Sequence, residues 1–289
     1  MRRRQRAPEL PREVISLTTY AQLDLYLAKF ASGELGLVLL LGRHGTGKSE
    51  SVKQALGISP RQTCLDVGRP QVLFAEGHMQ PFGLYRHLWE YRDRPVVLDD
   101  LDKLYANSDC VGLLKALCNT GPAKRISWLT NLTLNSSEVP SSFTTSSRVI
   151  LIANEWRTVN PNVRALEDRA IILHFDPSNA EVHRRVQEWF EDVEVYGYIA
   201  RIMPSISTIS MRHYCKGSQL RRAGFSDWRN TLLQMVLSDP RLACVASLQV
   251  EPTLCSEQQR VQRFVATTGS SRATYFRMKA RLASSREHG

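Results

Sequence analysis

The chain has 289 residues, 43% of them hydrophobic and 23% charged, enough apolar content to build a core and one to three domains. The net charge of +10 points to a polyanionic partner, either nucleic acid or an anionic surface. No apolar run approaches the roughly 18 residues of a membrane span, so no membrane partner is expected.

Residues 1–17 open with "MRRRQRAPEL" and read as a mobile basic N-terminal arm; no apolar stretch follows that would make a secretory signal. Residues 18–31 carry apolar side chains at helical spacing and predict an amphipathic helix. Strands and helices then alternate. Strands are predicted at 37–41, 63–67, 95–100, 148–154 and 170–175, with helices at 47–56, 82–92 and 110–118. The strands are continuously apolar, the pattern of a parallel sheet covered on both faces. The fold class expected is therefore α/β, with a five-stranded parallel core over 18–176.

Between 126 and 147 the chain turns Ser-, Thr- and Asn-rich and reads as a long loop or hairpin. From 177 the pattern is helical. A long helix over 179–202 and helices over 211–224 and 226–238 form a helical region, 177–239. A short segment bracketed by Pro240 and Pro252 leads into a small helical tail, so that 240–289 is the last module. No internal repeats are visible. The six cysteines form no CxxC pair and the seven histidines no cluster, so reduced thiols and no zinc are expected.

Chemistry concentrates at "GRHGTGKS", residues 42–49, where Gly42, Gly47, Lys48 and Ser49 fit the pattern GxxxxGK[ST]. The loop leaves a predicted strand and opens a predicted helix, the context the motif needs. Glycines let backbone N–H groups curl around phosphate oxygens, and a helix N-terminus adds positive potential. The ATP-binding set is Gly42, Arg43, His44, Gly45, Thr46, Gly47, Lys48 and Ser49. Lys48 would reach the β- and γ-phosphates and Ser49 would ligate Mg²⁺. The bland alternative is a strand–turn–helix junction that only happens to contain glycines. Such a loop needs an acid on a neighbouring strand. Asp99, 51 positions after Lys48, ends the apolar "VVLDD" and would hold the metal partly through water; Asp100 would polarise the attacking water. Asp102, past the strand end, reads as a surface residue.

With these motifs residues 18–235 resemble an AAA+ ATPase, with the cofactors ATP and Mg²⁺. The resemblance implies three further landmarks. Asn154, ending "RVILIAN", would be the first sensor and orient the water. Arg169, with Arg164 as runner-up, would be the arginine finger presented to a neighbouring subunit's ATP. Arg212, opening a helix of the lid region, would be the second sensor on the γ-phosphate. The second acid of the Walker B pair is Asp rather than the commoner Glu, a departure similar to replication initiators and helicase loaders that leaves turnover slow or switch-like. The resemblance implies a homo-oligomer, a ring or filament, acting on DNA with a replication or transposition protein, in a bacterial or phage-encoded cytoplasmic setting.

The tail supports a DNA partner. Residues 257–289 hold seven Lys/Arg against two Glu, a balance of +5, half of the chain's excess. "VQRFV", "TTGSS" and "RATYFRMKARL" read as helix, glycine turn and helix, the geometry of a helix-turn-helix reader. Arg272, Thr274, Arg277, Lys279 and Arg281 would face DNA, and a third helix must come from 226–250. Alternatives are an ATP-switched DNA-binding regulator with negligible turnover and a protein-remodelling AAA+ chaperone. The aromatic-glycine pair such chaperones use is present only as Phe82-Gly83, which reads as core packing.

Overall fold

The computed structural model describes residues 13–58, 71–77, 79–99, 107–128, 139–154, 166–251 and 253–284. The predicted strand 63–67, the arm 1–12 and the candidates Asp100, Asp102 and Arg164 lie outside the described residues. The chain divides into two compact units, residues 1–176 and 177–289.

The first unit is built on a six-stranded sheet in which every neighbouring pair runs parallel. In chain order its strands are β1 (Val14–Leu17), β2 (Leu37–Leu41), β3 (Leu73–Glu76), β4 (Val96–Asp99), β7 (Val149–Ala153) and β8 (Ile171–Phe175). A short antiparallel pair, β5 (Lys124–Ser127) and β6 (Ser142–Thr145), stands apart from it. The order across the large sheet is β1-β8-β2-β7-β4-β3. The central strands β2 and β7 are buried at every position, which is why "LVLLL" and "VILIA" read as unbroken apolar runs. All strands run the same way, so β2, β4 and β7 end on one edge of the sheet, where ligands of open α/β sheets bind.

The strands expected at 37–41, 95–100, 148–154 and 170–175 are present as β2, β4, β7 and β8. Two described strands of the sheet were not expected: β3 at Leu73–Glu76, and β1, in residues assigned to the basic arm. Strand β1 buries Leu17, leaves Ile15 39% exposed and pairs with β8 from Val14↔Ile172 to Leu17↔Phe175. Its backbone pairing across the molecule, rather than its own apolar content, makes it a strand. Helix α1 (Tyr20–Ser32) follows, opened by a capping box of Thr19 and Gln22 and closed by Gly33 at φ 89°. Helices α2 (Lys48–Ala55), α3 (Pro81–Glu90) and α4 (Ser108–Leu117) complete the described helical cover. Phe82, half-buried, packs against the core, 6.4 Å from Tyr85 and 6.0 Å from Trp128, ring centre to ring centre.

At the two ends of the Ser/Thr-rich stretch the described residues pair as the antiparallel β5–β6 ladder, and 129–138 lie outside the described residues. The base of the ladder is fastened by Asp93, whose Oδ1 accepts from the Ser146 N–H at 2.7 Å and from the Ser146 hydroxyl at 3.0 Å. Lys124, buried at the start of β5, donates to the Ser147 carbonyl at 2.6 Å, and burial lowers the pKa of its amine.

The second unit is all-helical where described: α5 (Asn179–Gln187), α6 (Val193–Ile202), α7 (Met211–Arg222), α8 (Trp228–Leu237), α9 (Pro240–Val250), α10 (Glu257–Thr268) and α11 (Arg272–Ser284). One continuous core runs from Val182 to Leu282. The long helix expected over 179–202 is two helices. The apolar period continues through the break, but Asp192 caps a new start by accepting from the Val195 N–H at 3.2 Å. Phe190 then turns onto Tyr214, with ring centres 5.6 Å apart.

Candidate nucleotide site and basic helical module

The loop 42–47 joins β2 to α2, so the buried strand and the first turn of the helix fix its two ends. Gly42 has no room for a side chain: a Cβ there would lie 2.2 Å from the Phe175 carbonyl oxygen at the end of β8. Gly47 stands at the N-cap of α2 with φ 78°, a left-handed conformation that only glycine takes cheaply. Thr46 is fully buried and its hydroxyl donates to the Arg43 carbonyl at 3.0 Å, closing the loop on itself. From outside, the Tyr20 hydroxyl donates to the Thr46 carbonyl at 2.7 Å.

Lys48 is 5% exposed. Its amine donates to the Gly42 carbonyl at 2.7 Å, the Arg43 carbonyl at 2.9 Å and Asn154 Oδ1 at 3.2 Å. All three of these acceptors are neutral oxygens. A phosphate oxygen would be a stronger, charge-assisted partner than a neutral carbonyl. The cradle without side chains at Gly42, the buried amine at its mouth and the open helix N-terminus of α2 fit a phosphate chain.

The sheet brings the companion residues to the same edge. Asn154 follows directly on β7, which lies between β2 and β4, and its bond to Lys48 joins positions 106 apart in sequence. Asp99 is the last residue of β4, half-buried and level with Ile152 on β7. Ser49 is half-buried in the first turn of α2, beside Lys48. These four are the sequence-expected residues that the fold gathers. Arg43 turns sideways, its Nε 3.5 Å from Asp176, and His44 is exposed.

Arg169 lies elsewhere. It is exposed two residues before β8, and β8 runs parallel to β2 with Ile171 level with Val38 and His174 level with Leu41. It therefore sits at the opposite edge of the sheet from Lys48, at least about 13 Å of strand away. One guanidinium nitrogen is 3.5 Å from the Lys115 carbonyl, a long contact. Arg212 belongs to the second unit, exposed in the first turn of α7. There Ser210 and His213 form a capping box in which His213 Nδ1 accepts from the Ser210 N–H at 3.2 Å. Burial first, and then the Lys216 charge, hold the His213 ring below its ordinary pKa of 6.5, which keeps that nitrogen an acceptor.

In the tail, α10, a turn at Gly269 with φ 63°, and α11 pack against α9 through Val245, Val261, Phe264, Tyr275, Met278 and Leu282. The five basic-tail candidates divide by environment. Arg272 and Arg277 are exposed, and the Arg272 guanidinium lies 5.6 Å from the centre of the Phe276 ring. Thr274 sits in the first turn of α11, with its N–H donating to Ser271 Oγ at 3.3 Å. Lys279 donates to Glu257 at 2.6 Å, and Arg281 lies 3.4 Å from Asp239. The Lys279 bond, and then that from Tyr275, hold the Glu257 carboxyl below its ordinary range against the effect of burial. Burial, with the same Glu257 bond, pushes the Tyr275 phenol up to about 12. Sequence reasoning placed Lys279 and Arg281 facing a ligand without finding their carboxylates, which lie 22 and 42 positions away. It also missed Tyr20 and Phe276, an exposed aromatic on the basic helix at 41% exposure.

No family model matches the chain. It is similar to an uncharacterized 36.7 kDa protein of the nrdC–mobD intergenic region of Enterobacteria phage T4, 25% identical over 169 residues. That match covers 54% of this chain and 50% of the phage protein, so the chain spans about half the length of that relative. Among solved structures it is similar to a DNA polymerase III gamma subunit-related protein of Thermotoga maritima, with a TM-score of 0.36 and 11% identity over 92% of this chain and 99% of that one. A likeness at that level bears on neither fold nor function.

Proposed function

We propose that the protein is an AAA+-type ATPase that binds and hydrolyses ATP at a subunit interface to drive or switch assembly on DNA. The observation that carries this reading is the Lys48–Asn154 contact of 3.2 Å at the sheet edge that also holds Asp99. A strand–turn–helix junction with incidental glycines has no reason to bury an ammonium beside a strand-end Asn and a half-buried Asp. In this reading the loop 42–49 holds the phosphates, and Ser49 and Asp99 hold Mg²⁺, which neutralises charge on the phosphates when bound. Asp100 and Asn154 orient water, and Arg169 serves the site of a neighbouring copy, since it cannot reach its own loop across the sheet. Arg212 reports nucleotide state from a lid formed by 177–239. Residues 240–289 are a helix-turn-helix-like module with Arg272, Thr274, Arg277, Lys279 and Arg281 toward DNA; Arg272, Arg277 and Arg281 are exposed on it. A role beside a replication, helicase-loading or transposition protein follows from this combination, as does a bacterial or phage-encoded cytoplasmic setting.

The test is the ATPase rate with and without single- and double-stranded DNA, alongside particle size with a non-hydrolysable ATP analogue. DNA should raise the rate, and the analogue should raise the particle size. A rate indifferent to DNA, together with a tail that fails to bind duplex, sinks the reading.

A second reading is an ATP-switched, sequence-specific regulator with negligible turnover. The three-helix packing of α9, α10 and α11 favours it, together with the shorter second carboxylate of Asp99-Asp100. Asp100→Asn separates the two: a regulator keeps its DNA binding and ATP response, whereas a motor binds DNA and stalls.

A further inference from the structure

Tyr20 is the first residue of α1, well apart in sequence from the loop 42–49, yet its hydroxyl reaches the loop's backbone. The side chain is 1% exposed, and its ring meets Phe175 edge-on, with centres 5.0 Å apart. Phe175 is the residue whose carbonyl oxygen leaves no room for a Cβ at Gly42. One aromatic pair therefore backs both ends of the loop, through the Phe175 carbonyl at Gly42 and the Tyr20 hydroxyl at Thr46.

The direction of the Tyr20 bond matters more than its strength. The peptide between Thr46 and Gly47 is planar and trans, so its C=O and N–H point in opposite directions. The Thr46 carbonyl is held toward α1, so the Gly47 N–H must point away from α1. Gly47 is the N-cap of α2, and its left-handed backbone is one that rotates easily in isolation. Thr46 Oγ1, tied to the Arg43 carbonyl, fixes the other side of the same residue. The remaining freedom is rotation of this peptide plane, and the Tyr20 bond removes it.

We propose that Tyr20 is a positioning residue for the phosphate loop, holding the Thr46 carbonyl outward so that the Gly47 N–H is aimed inward at a nucleotide phosphate. The proposal rests on the phosphate-loop reading above. Tyr20 does not touch the ligand; it acts through the loop's backbone.

The experiment measures ATP and ADP affinity by calorimetry with Mg²⁺, and nucleotide-free melting temperature, for the unmodified chain and three variants. Tyr20→Phe keeps the ring on Phe175 and removes only the hydroxyl. It should weaken ATP and ADP binding about tenfold, the effect of losing one well-aimed charge-assisted bond. Thr19→Ala removes the cap of α1 but leaves the hydroxyl, and should lower the melting temperature at least as much with affinity within about twofold of the unmodified chain. Tyr20→Phe binding ATP as tightly as the unmodified chain, or Thr19→Ala losing as much affinity as Tyr20→Phe, overturns the positioning role. Lys48→Ala is the separate arm for the underlying reading: its binding should be lost. An unmodified chain without affinity for ATP, or a Lys48→Ala chain that binds normally, overturns the phosphate-loop reading and the role of Tyr20 with it. Loss in Lys48→Ala but not in Tyr20→Phe overturns the role of Tyr20 alone.

Discussion

Gly42 concentrates the constraints on the candidate nucleotide site. A methyl group at this position meets the Phe175 carbonyl oxygen at 2.2 Å, and that oxygen is backbone at the end of a sheet strand. Neither partner can give by rotating a side chain. Gly42→Ala should therefore destabilise the chain by about 1–3 kcal/mol, the usual cost of forcing atoms into a filled space. It should also displace the carbonyl that Lys48 uses at 2.7 Å. Chemical denaturation reads the first effect and nucleotide titration the second; a stable variant with normal affinity contradicts the tight approach. At this scale the sequence was informative where chemistry is local. Gly42, Gly47, Lys48 and Ser49 announce themselves by spacing, and Asp99 and Asn154 by ending apolar strands. Tyr20 did not, because on an amphipathic helix it reads as one more apolar ring; its place directly after the capping Thr19 was the available signal. The partners of Lys279 and Arg281 were hidden for another reason, since Glu257 and Asp239 meet them only after α9, α10 and α11 pack.

Elements show which boundaries local sequence decides. The strands β2, β4 and β7 were visible because continuous burial writes continuous apolar runs. β1 was not, because an edge strand with Ile15 exposed lacks that pattern and depends on β8, more than 150 positions away. The α5–α6 break was also hidden, since Asp192 competes with an apolar period that runs straight through it. The cap of α7 gives a testable pH dependence. His213 must be neutral at Nδ1 to accept from Ser210, and its folded pKa lies below the ordinary 6.5, chiefly from burial. For a base with a depressed folded pKa, the unfolded chain binds the proton first. The stability from this group is thus present above 6.5 and lost as pH falls below it. His213→Gln keeps a capping-box acceptor without a titrating ring. The melting temperature of the unmodified chain should fall more steeply than that of His213→Gln between about pH 7 and about pH 5. Parallel curves would deny His213 this role. His183, likewise lowered by burial, is present in both proteins and cancels in the difference.

For the whole molecule, charge and assembly are the quantities to measure. If the tail binds duplex DNA, Arg272→Ala and Arg277→Ala should each reduce the slope of log affinity against log salt by about one. Lys279→Ala should act differently, because its amine answers the Glu257 carboxylate. Its expected effect is a lower melting temperature of the helical unit, with a smaller change in slope. Equal slope changes for all three residues would mean that the Glu257 bond gives way on DNA.

The separation of Lys48 and Arg169 across the sheet bears on genetics as well as geometry. A site that takes its phosphate loop from one copy and its arginine from the next can be built only by head-to-tail contact between unlike faces, which propagates into a closed ring or an open filament. Two defective chains should then complement each other. Lys48→Ala and Arg169→Ala chains, each inactive alone, form an intact site wherever the loop of the second meets the arginine of the first. In an equal mixture about a quarter of random interfaces have that arrangement. Recovery of ATPase activity toward that fraction on mixing, against none for either chain alone, would mark the donor and acceptor faces of the protein without a structure of the assembly. No recovery would return Arg169 to the ordinary surface.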